Sequence, residues 1–158
     1  MNVEILAVGT EILLGNISNT NAQYLSRKCA GLGLSVYHQT VVGDNEKRMT
    51  DAIKRALKRS DIVILTGGLG PTEDDMTKEV CAKVMGFELA EDPPTKARIE
   101  EYFSNIRRKK ITNNNWKQAV VPVGAKVLDN DNGTAPGLIL EKDGKTAILL
   151  PGPPNELK

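Results

Sequence analysis

"DIVILTGGLGPTEDD", Asp61 to Asp75, leaves an apolar run, passes through three glycines and a proline, and ends on three successive carboxylates. Its first six residues read as a strand covered on both faces. From Asp75 to Met85 the apolar residues Val80, Val84 and Met85 return at helical spacing before Gly86, the residue type that ends helices. A strand joined to a helix by so short a loop is the building unit of an α/β protein.

Two more such units precede it. "VEILAV", Val3 to Val8, is a strand, and the helix after it is predicted from a capping box at Thr20 and Gln23, with Ala22, Leu25, Cys29 and Leu32 as its apolar stripe before Gly33. "LSVYHQTVV", Leu34 to Val42, is the next strand; Asp44 or Asn45 then caps a helix through Arg59, with Met49, Ile53 and Leu57 spaced four apart. A further helix is predicted from Pro93 or Pro94 to about Arg108, with "RRKK" (107–110) as its solvated end. "GLILEKDGKTAILLPG" is a hairpin turning at Asp143-Gly144, and Pro154 looks like the first turn of one more helix. The pattern predicts a mostly parallel sheet flanked by helices, one β-hairpin near the C-terminus, and a single domain over residues 1–158 cut from a longer chain.

Lys and Arg number 21 against 20 acidic residues, so no broad electrostatic attraction to nucleic acid or an anionic membrane is expected. No stretch approaches the roughly 20 apolar residues of a membrane span, and the expectation is a cytoplasmic protein. Cys29 and Cys81 have no paired spacing and read as reduced, half-buried helix residues. His38, the one histidine, reads as packed or surface, and Trp116 as closing a core edge or stacking on a heterocycle.

Open α/β sheets bind ligands beyond the carboxyl ends of their strands. The unusual residues fall there: Thr10 and Glu11 after the first strand, Asp44 after the second, Thr66 to Asp75 after the third, and Gly152, Asn155 and Glu156 after the hairpin. Gly67, Gly68 and Gly70 allow backbone amides to approach an anion closely, so with Thr10, Thr66, Gly152 and Asn155 they are the candidate phosphate and substrate contacts. Thr134 in "NGTAPG" joins them or merely makes a turn. The loop lacks the G-K-[ST] ending of a Walker loop and the G-x-G-x-x-G of a dinucleotide fold. Carboxylates beside a phosphate repel it unless a cation intervenes, and oxygen donors select a hard ion such as Mg²⁺ or Mn²⁺. Asp74 and Asp75 are therefore candidate metal ligands, and Asp44, Asp75 and Glu11 candidate catalytic groups. Each acid also has a plain structural reading, with Asp75 and Asp44 capping the helices that follow them.

At "GTEILLGNISNTNAQYL", "VVGDN", "ILTGGLGPTEDDMTKE", "NNNWKQA", "GTAPG" and "LLPGPPNE" the chain resembles the N-terminal domain of the CinA competence/damage-inducible family, in the superfamily of MoaB, MogA and MoeA. The resemblance implies a three-layer α/β/α fold and, in the CinA branch, a metal-dependent pyrophosphatase acting on ADP-ribose, with Mg²⁺, Mn²⁺ or Co²⁺ and K⁺ as candidate cations. The cofactor-synthesis branch instead binds molybdopterin; its two catalytic aspartates match Asp44 and Asp75, while Leu69 stands where those proteins usually carry Thr. The expected partner is a small nucleotide or pterin phosphate, and the expected assembly a homo-oligomer.

Overall fold

The computed structural model describes residues 1–106 and 110–158. Arg107, Arg108 and Lys109, where the predicted helix was to end, lie outside the described residues. A six-stranded sheet runs in the order β2 (Ser35–Val42), β1 (Asn2–Val8), β3 (Ile62–Thr66), β8 (Lys145–Leu150), β7 (Gly137–Lys142), β6 (Lys126–Leu128). β2, β1, β3 and β8 pair in parallel, and β7 is antiparallel to both its neighbours.

Alternate residues of the central strands face opposite layers, as a sheet buried on both faces requires. Leu6, Val8, Val63 and Leu65 pack on one side with Met49, Ile53 and Ala56 of α3 (Glu46–Arg59) and Val80, Cys81 and Met85 of α4 (Thr77–Met85). Val3, Ile5 and Ile64 pack on the other with Ala22, Leu25 and Cys29 of α2 (Thr20–Gly31), where Leu157 of the short α7 (Pro154–Leu157) joins them. Helix, sheet and helix thus form the three layers, and both cysteines are fully buried rather than half-buried.

The helix ends follow local hydrogen-bonding chemistry, with two shifts from the sequence reading. α2 is capped by Asn19, whose side chain accepts from the Ala22 amide, and not by Thr20. α4 begins at Thr77 with no side-chain cap, so Asp75 is not its cap. Asn45 caps α3 by accepting from Arg48, which frees Asp44 for other bonds. α5 (Pro93–Asn105) starts on an Asp92 cap with Pro at its first positions. The Asp143-Gly144 turn has positive φ at both residues, 52° and 73°, as a type I′ hairpin demands.

A second antiparallel pair, β4 (Leu89–Glu91) and β5 (Val120–Pro122), was not foreseen, nor was β6; strands of three residues carry too little alternation to register in a sequence. The β4–β5 pair brackets α5 and the short α6 (Asn113–Trp116), and so brings the 3-10 turn Lys117–Ala119 back toward α4.

Lys78, on α4, is buried, and its Nζ donates to the Lys117 carbonyl at 2.6 Å. Burial pushes its ammonium down to about 8 from 10.5, with Lys117 adding to the fall and Glu79 opposing it. Between these pH values the unfolded chain holds the proton that the folded chain has released, so stability rises with pH across that window. Urea titrations at pH 7.5 and 10 should show the wild type gaining on Lys78→Met by on the order of 3 kcal/mol. Equal changes in the two proteins would contradict the buried ammonium.

Candidate functional site

Because β1, β2, β3 and β8 are parallel, the segments leaving their carboxyl ends open on the same sheet edge. There a cavity of about 520 Å³ is walled by Gly9 and Glu11 after β1, Asp44 after β2, Thr66 to Gly70 with Thr72, Asp74 and Asp75 after β3, Gly152 to Pro154 after β8, and Ile17 to Asn21 leading into α2.

The acids are held individually. Asp44 accepts at Oδ2 from the Thr10 amide and hydroxyl, at 3.3 and 3.2 Å, while its own amide donates to Thr10 Oγ1 at 3.1 Å. Asp75 Oδ2 accepts from the Thr72 amide and hydroxyl, at 3.0 and 2.6 Å, closing a turn within the loop. Glu11, on the four-residue α1 (Thr10–Leu13), lies back over Gly9, where a Cβ would meet its Oε1 at 2.6 Å. Among the described residues no three His, Cys, Asp or Glu side chains converge closely enough to hold a metal ion. The carboxylates are hard donors of the right chemistry for Mg²⁺ or Mn²⁺, but they supply only part of a coordination shell and not a protein-made cage.

The glycine loop is fixed from behind. Gly67 and Gly68 have φ of 99° and 70°, and a Cβ on Gly67 would run into the Val8 carbonyl, one on Gly68 into the Thr77 hydroxyl. Thr77 is fully buried; its hydroxyl donates to the Gly67 carbonyl at 2.8 Å and its amide to the Gly68 carbonyl at 3.1 Å. Among the described residues the amides of Gly68, Leu69 and Gly70 have no hydrogen-bond partner. Thr66 is buried behind them, donating to the Pro151 carbonyl at 3.1 Å and accepting from Asn21 Nδ2 at 3.0 Å. Asn21 also donates to the Gly152 carbonyl at 2.7 Å, which ties the β3 and β8 ends together.

The cavity thus brings together Glu11, Asp44, Asp74, Asp75, Thr66, Gly67, Gly68, Gly70 and Gly152, with Thr10 one hydrogen bond away through Asp44. Two candidates fall elsewhere. Thr134 lines a separate cavity with Tyr102, Phe103 and Glu156, where Arg98 Nη2 grips its carbonyl at 3.2 Å. Asn155 is exposed on α7, its carbonyl accepting from Asn132 Nδ2 at 2.8 Å, because the chain turns away after Pro154. Trp116 is not a cavity wall; it lies under Lys96, whose Nζ is 5.4 Å from the ring centroid. His38 is exposed on β2. Asn21 and Thr77 were missed, and only a pairing of their polar side chains with glycine-rich strand ends could have hinted at them.

The described fold is that of MoaB-type proteins: MoaB of Thermus thermophilus superposes with a TM-score of 0.64 over 99% of this chain and 84% of that one, at 17% identity. The CinA protein of Thermoplasma acidophilum superposes at 0.91 over 99% and 90%, at 38% identity. Competence-damage inducible proteins of Clostridium beijerinckii and Caldicellulosiruptor bescii are 55% and 59% identical over the whole chain, which spans 38% of their length. The family model described as "probable molybdopterin binding domain" matches residues 4–158. The chain belongs to this molybdopterin-binding-domain family, in its CinA branch. No described helix is long and apolar enough to cross a membrane.

Proposed function

We propose that the cavity binds a small heterocycle bearing phosphate, of the pterin class for which the family is named, with its phosphate against the amides of Gly68, Leu69 and Gly70. The observation that carries this reading is the run of amides at Gly68, Leu69 and Gly70 that have no partner among the described residues, while the carbonyls of Gly67 and Gly68 are both occupied by Thr77. Such an array of donors is the backbone's own anion seat. Leu69 directs its side chain into the core at 9% exposure, so that position gives the ligand an amide and no hydroxyl. Four carboxylates on the walls would repel a bare phosphate, so a divalent cation arriving with the ligand, held by Asp74 and Asp75 and completed by phosphate oxygens and water, suits the site. That cation would supply charge neutralisation.

A second reading is hydrolysis of a nucleotide diphosphate sugar, with ADP-ribose as substrate. It is favoured by Asp44, which Thr10 fixes on the cavity wall where it could orient a water, with Glu11 lining the same cavity. Calorimetry with molybdopterin and with ADP-ribose, each with and without Mg²⁺, Mn²⁺ or Co²⁺, separates the two when AMP release is followed in parallel. Tight pterin binding without turnover supports the first reading. AMP release that falls about 100-fold or more in Asp75→Ala supports the second, and failure of both ligands to bind removes the site from consideration.

A further inference from the structure

The motif "NNNWKQA" was singled out in the sequence, yet its residues Trp116 to Ala119 line no wall of the cavity. They stand behind the loop. Lys117 Nζ donates to the Thr72 carbonyl at 2.8 Å and also to the Asp75 carbonyl. Gln118 Nε2 donates to the Leu69 carbonyl at 3.3 Å. With Thr77 on the carbonyls of Gly67 and Gly68, the carbonyl groups of Gly67, Gly68, Leu69, Thr72 and Asp75 are all drawn to the rear.

A trans peptide directs its C=O and the following N–H to opposite sides. Pulling the Leu69 and Thr72 carbonyls back therefore turns the Gly70 and Glu73 amides forward, as Thr77 does for Gly68 and Leu69. Gln118 bears a cost for this. It is 3% exposed, and while its nitrogen serves Leu69, its Oε1 is buried with no partner among the described residues. A residue that only filled space would gain by giving up that orphaned oxygen.

We propose that Lys117 and Gln118 are positioning residues, a rear clamp on the Leu69–Asp75 loop that presets its amides for a phosphate or diphosphate group. The Lys117 ammonium adds a positive charge beneath the loop, 3.9 Å from Glu79 on α4, and the Lys78 bond to the Lys117 carbonyl fastens the clamp to that helix. This rests on the reading of the loop as a phosphate seat. It makes affinity for the anion depend on a segment some forty residues distant in sequence.

The test uses the full chain, inorganic pyrophosphate as probe, and the variants Gln118→Met, Lys117→Met and Lys117→Arg. Gln118→Met and Lys117→Met should each weaken pyrophosphate binding by about 10-fold or more. Lys117→Arg, which can still donate to both carbonyls, should recover most of the loss. Gln118→Met exchanges one orphaned buried acceptor for another, so its melting temperature should stay close to wild type while its affinity falls. In amide NMR spectra recorded without ligand, the Gly70 resonance should move in Gln118→Met and the Glu73 resonance in Lys117→Met. Unchanged resonances, or unchanged affinity in a wild type that binds, would overturn the clamp. Failure of the wild type itself to bind pyrophosphate would instead remove the phosphate seat, and the spectra would still decide whether the clamp orients the loop.

Discussion

Gly67→Ala is expected to destabilise the protein by about 2–5 kcal/mol, the sum of a left-handed backbone cost and an overpacking cost. At φ 99° a side chain is strained, and its Cβ would have to enter the space of the carbonyl of Val8, which pairs with Val42 of β2 within the sheet. Nor can the loop retreat toward β8, since Gly152 already lies close, with its own Cβ position 3.3 Å from the Gly67 Cα. The same shift would swing the Gly68 amide out of line, so pyrophosphate affinity should drop by about 100-fold or more, the equivalent of two charge-assisted hydrogen bonds. Gly124→Ala is the control: φ there is 89°, but nothing stands within 4 Å of the new Cβ, so only the backbone cost of about 1–2 kcal/mol should appear. Urea titration of both variants, with calorimetry on the same samples, measures the two effects. Equal losses in the two would mean that the approach of Gly67 to β1 is not what requires glycine.

Arg59→Met should lower the melting temperature by several degrees, because it leaves the Glu4 carboxylate without its guanidinium partner. Glu4, in the sheet at 1% exposure, accepts from Arg59 Nε at 2.8 Å, from Arg59 Nη2 at 2.7 Å and from Thr40 Oγ1 at 2.9 Å. Burial pushes the Glu4 carboxyl up, but the bonds from Arg59 and Thr40 and the charges of Arg59 and His38 outweigh it and leave it below 4.5. A lowered folded pKa adds stability above the ordinary carboxylate range, and that stability is lost as pH falls through the folded value. In Arg59→Met the same carboxyl is raised, so the gap to wild type should be widest near pH 7 and narrow as pH falls through the carboxylate range. Adding Glu4→Met should recover most of the loss, since an apolar pair replaces an ion pair at little cost. A gap that stays constant from pH 7 to 4 would show that the loss comes from packing of the Arg59 stem.

The elements that could be read from the sequence are those whose information is local. β1, β2, β3 and the hairpin announce themselves through apolar runs and a turn dipeptide, and α2, α3 and α4 through spacing of residues that face the sheet, except Leu32, which lies past the end of α2 and is 75% exposed. The errors arose where two local solutions compete for one residue. Thr20 and Asn19 can both cap α2, and the amide oxygen of Asn19 reaches the Ala22 amide. Asp75 has the composition of a cap, yet Thr72 offers it an amide and a hydroxyl three residues back, and α4 starts after that turn has closed. Glu4 reads as a lone acid in an apolar strand, and nothing near it in sequence reveals that Arg59 waits at the end of α3.

By itself the sequence determined the α/β class, the parallel order of its βα units and the edge on which the loops gather, because hydrophobic period and turn chemistry act over a few residues. Only the tertiary structure decided which groups meet. It set Asp44 on Thr10 and Thr77 behind the glycines, moved Thr134 and Asn155 away from the cavity, and brought Lys117 and Gln118 up beneath the loop. The reason is that hydrogen bonds between residues far apart in the chain depend on how helices pack on the sheet, a balance summed over the whole core that no local stretch contains.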